Sequence, residues 1–98
     1  MKISANRNGS TLEVALEGRL DTATAPELDQ AITPALGEID ELIIDCSKLD
    51  YVSSAGLRQL LRAHRSLKRG GETKIRNANQ IVKSVLDITG MTEFVTIE

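Results

Sequence analysis

From Thr11 to Glu17 the chain alternates Leu12, Val14 and Leu16 with Glu13, Ala15 and Glu17, the period of two that marks a strand with one buried face. Lys2 to Asn6 is a weaker strand ahead of it. Asn8-Gly9, within Arg7-Asn8-Gly9-Ser10, is the strongest short hairpin signal, so the chain is expected to open with a β-hairpin. Gly18-Arg19-Leu20-Asp21-Thr22 then leaves the strand. Thr24-Ala25-Pro26-Glu27 has the spacing of a capping box with Pro tolerated in the first turn. Leu28, Ala31, Ile32 and Ala35 continue as one face and predict a helix from Ala25 to about Leu36. Gly37 is a helix stop, and Pro34 is expected to distort the last turn.

The unbroken apolar run Leu42-Ile43-Ile44, inside Ile39 to Asp45, reads as an interior strand buried on both faces. Lys48 to Val52 leads from it to Ser53-Ser54. Leu57, Leu60, Leu61, His64 and Leu67 recur at three- and four-residue spacing, which predicts a second helix ended by Gly70-Gly71. Glu72 to Asn77 reads as a short strand nearer an edge. Asn79 can cap a third helix whose Ile81, Val82, Val85, Leu86 and Ile88 face the core and which Gly90 stops. Phe94 to Ile97 make a last strand. The resulting order, ββαβαβαβ, predicts a single α/β domain over residues 1–98 with a mixed, mostly parallel sheet.

Composition narrows the chemistry. A net charge of -2 lacks the footprint that nonspecific nucleic-acid binding requires, and Tyr51 and Phe94, the only aromatic residues, offer no stacking platform. No nucleic-acid partner is expected. The start of the chain is too polar for a signal peptide, and no apolar run approaches spanning length, so the expectation is a soluble, cytoplasmic protein with no membrane partner. Cys46, the single cysteine, is expected to be a reduced, packed thiol. Charge is unevenly placed. Between Leu57 and Arg69 stand Arg58, Arg62, Arg65, Lys68 and Arg69 and no acid. Arg58, Arg62, Arg65 and Arg69 are spaced as a stripe on the second helix, which is either a solvated face or a docking face for an acidic partner.

Nucleotide-binding glycine motifs and the nucleophile elbow are absent. One His and one Cys cannot supply a metal cluster, and no cofactor is expected. His64 falls on the apolar face and reads as a partly buried core residue. It lies roughly 15 Å from Ser54 at the helical rise, too far to activate that hydroxyl, so no enzymatic activity is expected. What remains is Ser53-Ser54 where a loop becomes a helix, followed by the small residues Ala55 and Gly56. A hydroxyl there can cap the helix, or it can accept a phosphoryl group that adds about -1.5 to -2 charges.

Gly18-Arg19-Leu20-Asp21 leading to Thr24-Ala25, the strand Leu42-Ile43-Ile44-Asp45, the motif Tyr51-Val52-Ser53-Ser54-Ala55-Gly56-Leu57, Gly70-Gly71 and Leu86 to Gly90 together resemble the STAS domain of anti-sigma factor antagonists. The resemblance covers nearly the whole chain. It implies a mixed sheet backed by helices, with a serine at the start of the second long helix phosphorylated by an anti-sigma factor that is also a serine kinase. The unphosphorylated form binds that kinase and frees the sigma factor, and a serine phosphatase resets the system. The family's frequent pattern is Asp-Ser-Ser/Thr-Gly, so the matching acceptor is Ser54, with Ser53 as rival. Ser53 stands where an acid is common and Ala55 where a second hydroxyl is common. The partner-binding set implied is Asp21, Thr22, Ser53, Ala55, Gly56, Arg58 and Arg62, with Asp21 and Thr22 near Ser54 at one end of the sheet. The alternative on the same fold is an unregulated scaffold or subunit of a transport or stress-signalling complex, in which the serine only caps.

Overall fold

The computed structural model describes residues 1–98. Its elements run β1 (Lys2–Asn8), β2 (Thr11–Leu20), α1 (Ala25–Leu36), β3 (Glu41–Val52), α2 (Ser54–Arg65), β4 (Glu72–Arg76), α3 (Gln80–Ile88), a single 3-10 turn (Met91–Glu93) and β5 (Thr96–Ile97). This is the ββαβαβαβ order. The sheet order is β1-β2-β3-β4-β5, antiparallel between β1 and β2 and parallel elsewhere. Every crossover moves one strand in the same direction, so all three helices lie on one face. Leu12, Val14, Leu16 and Leu20 of β2 meet α1, α2 and α3 there in one aliphatic core.

The other face of the sheet carries no helix. Leu42-Ile43-Ile44 is nonetheless buried on both faces of the central strand, as its apolar run predicts. Leu42 and Ile44 enter the core, whereas Ile43 points the other way and is only 6% exposed because it sits between Glu13 of β2 and Lys74 of β4. Long charged side chains cover it with their aliphatic stems, and Lys74 Nζ pairs with Glu41 Oε2 at 3.0 Å.

β2 and β3 are both longer than the hydrophobic pattern predicts. β2 does not end at Glu17 but continues to Leu20, and β3 runs through Lys48–Val52 as one strand. The register shifts between Ala15 and Glu17 and again between Gly18 and Arg19. Each shift is a bulge that inserts a residue into β3 and re-phases its side chains. Inward positions therefore fall at Leu42, Ile44 and Cys46, then at Leu49, then at Val52. Gly18 adopts φ +108 at the second shift, a conformation that side-chain-bearing residues rarely take. The hairpin turn is Gly9-Ser10, since Asn8 already pairs with Thr11, and Gly9 supplies its positive φ.

The helices keep their predicted positions but not every predicted face. α1 buries Ala25, Leu28, Ile32 and Leu36, while Ala31 is exposed. The capping box does not form, because no side-chain cap bond is made by Thr24; its hydroxyl is engaged by the Arg19 carbonyl and the Asp21 N–H instead. Pro34 is accommodated within α1. α2 ends at Arg65 with Ser66 as its C-cap, so Arg69 lies beyond the helix. In α3, Asn79 caps as expected, its Oδ1 accepting from Val82 N at 2.8 Å. Only Val82 and Leu86 are buried. Ile81 and Ile88 are 60% and 83% exposed, because a nine-residue helix touching the sheet along one line covers a single stripe. The last strand is reduced to Thr96–Ile97, with Phe94 outside the core and Val95 in it.

Candidate functional site

The paired extensions of β2 and β3 deliver two loops to the same end of the sheet. Leu20 opposes Val52, and the next amide, Ser53 N, donates to Leu20 O at 2.9 Å. α2 begins at once. Ser53 has extended backbone (φ -93, ψ 175) and its side chain accepts from Gly56 N at 3.3 Å, which fills the N-cap role. Gly56 is buried, and a Cβ there would stand 2.7 Å from Leu20 Cγ and 2.8 Å from the Leu20 carbonyl oxygen. It is the contact that lets the first turn of α2 press onto β2. Of the expected partner-binding residues, Gly56 thus faces inward.

Ser54 is the first residue of α2 and is exposed. With Ser53 holding the cap, the Ser54 hydroxyl has no hydrogen-bond partner in the protein. The two serines, equivalent in the sequence, are separated by the backbone: one is committed to the helix and the other is free.

The Asp21 loop is ordered from within. Asp21 Oδ1 accepts from Ala23 N at 3.0 Å and Thr24 N at 3.1 Å, and the Thr24 N–H is the main cause that holds the Asp21 carboxyl below its ordinary value. Arg19 lies 4.6 Å from the centroid of Tyr51 and 3.9 Å from Asp21 Oδ2.

Between the starts of α1 and α2 runs an open cleft of about 230 Å³. Thr22 and Asp29 line one wall and Ala55, Arg58, Gln59 and Arg62 the other. The structure therefore brings Thr22, Ala55, Arg58 and Arg62 together, with Asp21 and Ser53 in the loops and Ser54 at the first position of α2 at the same end. Asp29 and Gln59 are additions that the pattern of residues did not single out. Gln59 is only 5% exposed, and its Nε2 donates to Asp29 Oδ1 at 3.2 Å. The Thr33 hydroxyl, at 2.6 Å, and then Gln59 hold Asp29 below the ordinary carboxylate range. The available signal was a polar residue lodged between Leu57 and Leu60.

Arg58, Arg62 and Arg65 are exposed. The protein's ion pairs use Arg7, Arg19, Lys74 and Arg76, and none uses a cation of α2. The arginines of α2 thus make no direct ion pair, although the Asp29 carboxylate across the cleft feels the charge of Arg62, and Ser54 stands at the head of the row.

Other chemically able side chains lie elsewhere. His64 is half-buried, and its Nδ1 is 2.8 Å from the hydroxyl of the fully buried Thr73. Cys46 is buried, and desolvation pushes its thiol up to about 12, which keeps it protonated. A larger hollow of about 350 Å³ on the open sheet face is lined by Lys2, Glu17, Asp45 and Lys48 among others. Its mixed charges select no ligand, and neither Ser53 nor Ser54 lines it. No three His, Cys, Asp or Glu side chains are grouped to hold a metal, and no helix is long and apolar enough to cross a membrane.

Comparison with known proteins gives a consistent picture. The family model for the STAS domain matches residues 2–98. The anti-sigma-B factor antagonist of Bacillus subtilis is 24% identical over 98 residues, which are 99% of this chain and 90% of that protein. An anti-sigma factor antagonist from Mycobacterium paratuberculosis superposes with a TM-score of 0.87 at 22% identity, over 98% of this chain and 83% of that one. The Bacillus cell fate determinant SpoIIAA in its phosphorylated form superposes with a TM-score of 0.77 at 20% identity, over 99% and 91% of the two chains.

Proposed function

The chain belongs to the STAS domain family, and from that premise we propose that it is an anti-sigma factor antagonist switched by phosphorylation of Ser54. Unmodified, it binds an anti-sigma factor that is itself a serine kinase and so releases the sigma factor. The kinase phosphorylates Ser54, binding is lost, and a serine phosphatase restores the free form. The chain is the substrate of this chemistry and not its catalyst.

The observation that carries the reading is the division of labour between the serines. Ser53 accepts from Gly56 N, leaving Ser54 exposed with a free hydroxyl that a kinase can reach without unwinding the helix. The antagonist name of the Bacillus subtilis relative and the phosphorylated form of SpoIIAA support it. The kinase docks over the cleft and the ridge, where Thr22, Ala55, Arg58 and Arg62 offer a shallow surface whose arginines make no direct ion pair within the protein. A phosphoryl group at Ser54 adds about -1.5 to -2 charges under any partner packed there, and desolvating it opposes docking.

The test is intact mass after incubation with the kinase anti-sigma factor and ATP, on the parent chain, Ser53→Ala and Ser54→Ala. One phosphoryl group is expected on the first two and none on Ser54→Ala. Ser54→Asp is expected to abolish the complex while the domain stays folded. A complex with Ser54→Asp as tight as with the parent, or phosphorylation that persists in Ser54→Ala, refutes the reading.

A further inference from the structure

We propose that Arg58 is the intramolecular binding partner of the phosphoryl group carried on Ser54, so that modification folds this arginine back onto the helix start and withdraws it from the docking ridge. The inference rests on Ser54 as the acceptor and adds a binding group for the modified state.

Three features carry it. The Ser54 hydroxyl is outside the cap, which Ser53 fills, so a phosphoryl group on it projects from the helix without breaking a bond. Arg58 is four residues along, the spacing that brings two helix side chains onto one face with Cβ atoms about 5–6 Å apart. Arg58 is exposed and absent from every ion pair in the protein; the first turn of α2 holds no acid, and Asp29 of α1, which lines the same cleft, is engaged by Thr33 and Gln59 instead. A guanidinium meets phosphate oxygens through two parallel N–H donors, a geometry that a flexible four-bond side chain reaches from this position.

The neighbouring arginines are placed differently. Arg62 is eight residues from Ser54, roughly 12 Å along the axis at the helical rise, and lies beside Asp29, whose carboxyl feels its charge. Arg65 is farther still. Arg58 alone combines reach with freedom. In the unmodified chain it heads the row of cations offered to an acidic surface of the partner. In the modified chain the same side chain is occupied, so one event adds negative charge and removes a positive contact.

The test uses the whole chain with phosphoserine encoded at position 54 during translation, so that no kinase is needed, and follows the second phosphate ionisation by phosphorus NMR. In the parent chain that ionisation is expected roughly several tenths of a pH unit below the value of about 6 for a free phosphoserine. Arg58→Gln is expected to remove most of that shift attributable to a contact, Arg58→Lys to keep part of it, and Arg62→Gln to leave it in place. Identical titrations for the parent and Arg58→Gln overturn the proposal, as does an equal response to Arg62→Gln, which would mean a diffuse field in place of a contact. Failure of this inference is distinguishable from failure of the functional reading. If phosphorylation still releases the kinase while Arg58 leaves the titration unmoved, the switch stands without the clamp. If Arg58 governs the titration but the phosphorylated chain binds the kinase undiminished, the clamp stands without the switch.

Discussion

Ser53 and Ser54 differ by one position and by everything that position implies. Ser53 has extended backbone and accepts from Gly56 N, so replacing it leaves a first-turn N–H without its partner. Ser53→Ala is expected to cost about 1 kcal/mol, the ordinary value of an N-cap. Ser54→Ala deletes an exposed hydroxyl with no partner and is expected to stay within about 0.5 kcal/mol of the parent. Urea denaturation of the two variants measures the difference; equal losses would mean that the serines share the cap and that Ser54 is not the free one. Gly56 shows the same local logic from the inside, since the Leu20 carbonyl occupies the space a Cβ would need.

At the scale of the element, α3 separates what a periodic pattern can say from what packing selects. Ile81, Val82, Val85, Leu86 and Ile88 recur at helical spacing, yet Leu86 is 1% exposed and Ile88 83%. Leu86→Ala removes a core side chain from among neighbours that cannot fully close the gap, and is expected to cost about 2–5 kcal/mol. Ile88→Ser exchanges one solvent-facing side chain for another and is expected to stay within about 0.5 kcal/mol. Thermal melts of the pair decide the matter: a large loss in Ile88→Ser would place that residue in a packed interface. α2 is the opposite case, because its leucines and its arginines separate cleanly onto two sides, and Leu57 and Leu60 pack inward as their spacing requires.

At the scale of the molecule, stability is coupled to pH through carboxylates that hydrogen-bond in the folded chain, some across elements and some within one. Asp45 of β3 accepts from the Asn77 side chain, the largest cause, and from Ser47 N, and both hold its carboxyl below the ordinary value. Asp21, Asp29 and Glu41 are lowered as well, first by the Thr24 N–H, the Thr33 hydroxyl and the Lys74 ammonium respectively. A carboxyl whose folded pKa is depressed contributes stability that is fully present above its unfolded value, about 3.9 for Asp and 4.3 for Glu, and is lost as pH falls through the folded value. The melting temperature is therefore expected to be level from about pH 5 to about pH 8 and to decline below about pH 4. Asp45→Asn is expected to shallow that decline. An acid limb with the same slope in Asp45→Asn would remove Asp45 from the account.

The element order and the position of the serine motif were legible in the sequence because each rests on local chemistry: alternation in β2, three- and four-residue spacing in α2, and turn or cap residues such as Gly9 and Asn79 between elements. The arginine ridge was legible from Arg58 to Arg65 for the same reason, since a helix has a fixed period, but not its end, because α2 stops at Arg65 and leaves Arg69 outside. Three things were decided only in the folded molecule. The bulges opposite Leu16 and Gly18 re-phase β3, so its inward positions follow no single period. Thr24 was drawn away from the cap by the Arg19 carbonyl and the Asp21 N–H, groups that the chain reversal brings to it. The cleft joining Thr22 and Asp29 to Ala55, Gln59 and Arg62 depends on two helices about 30 residues apart meeting over one sheet. Local propensity sets which segments become helix or strand; which of their side chains meet, and so which serine is left free beside which arginine, depends on packing between segments that no single stretch contains.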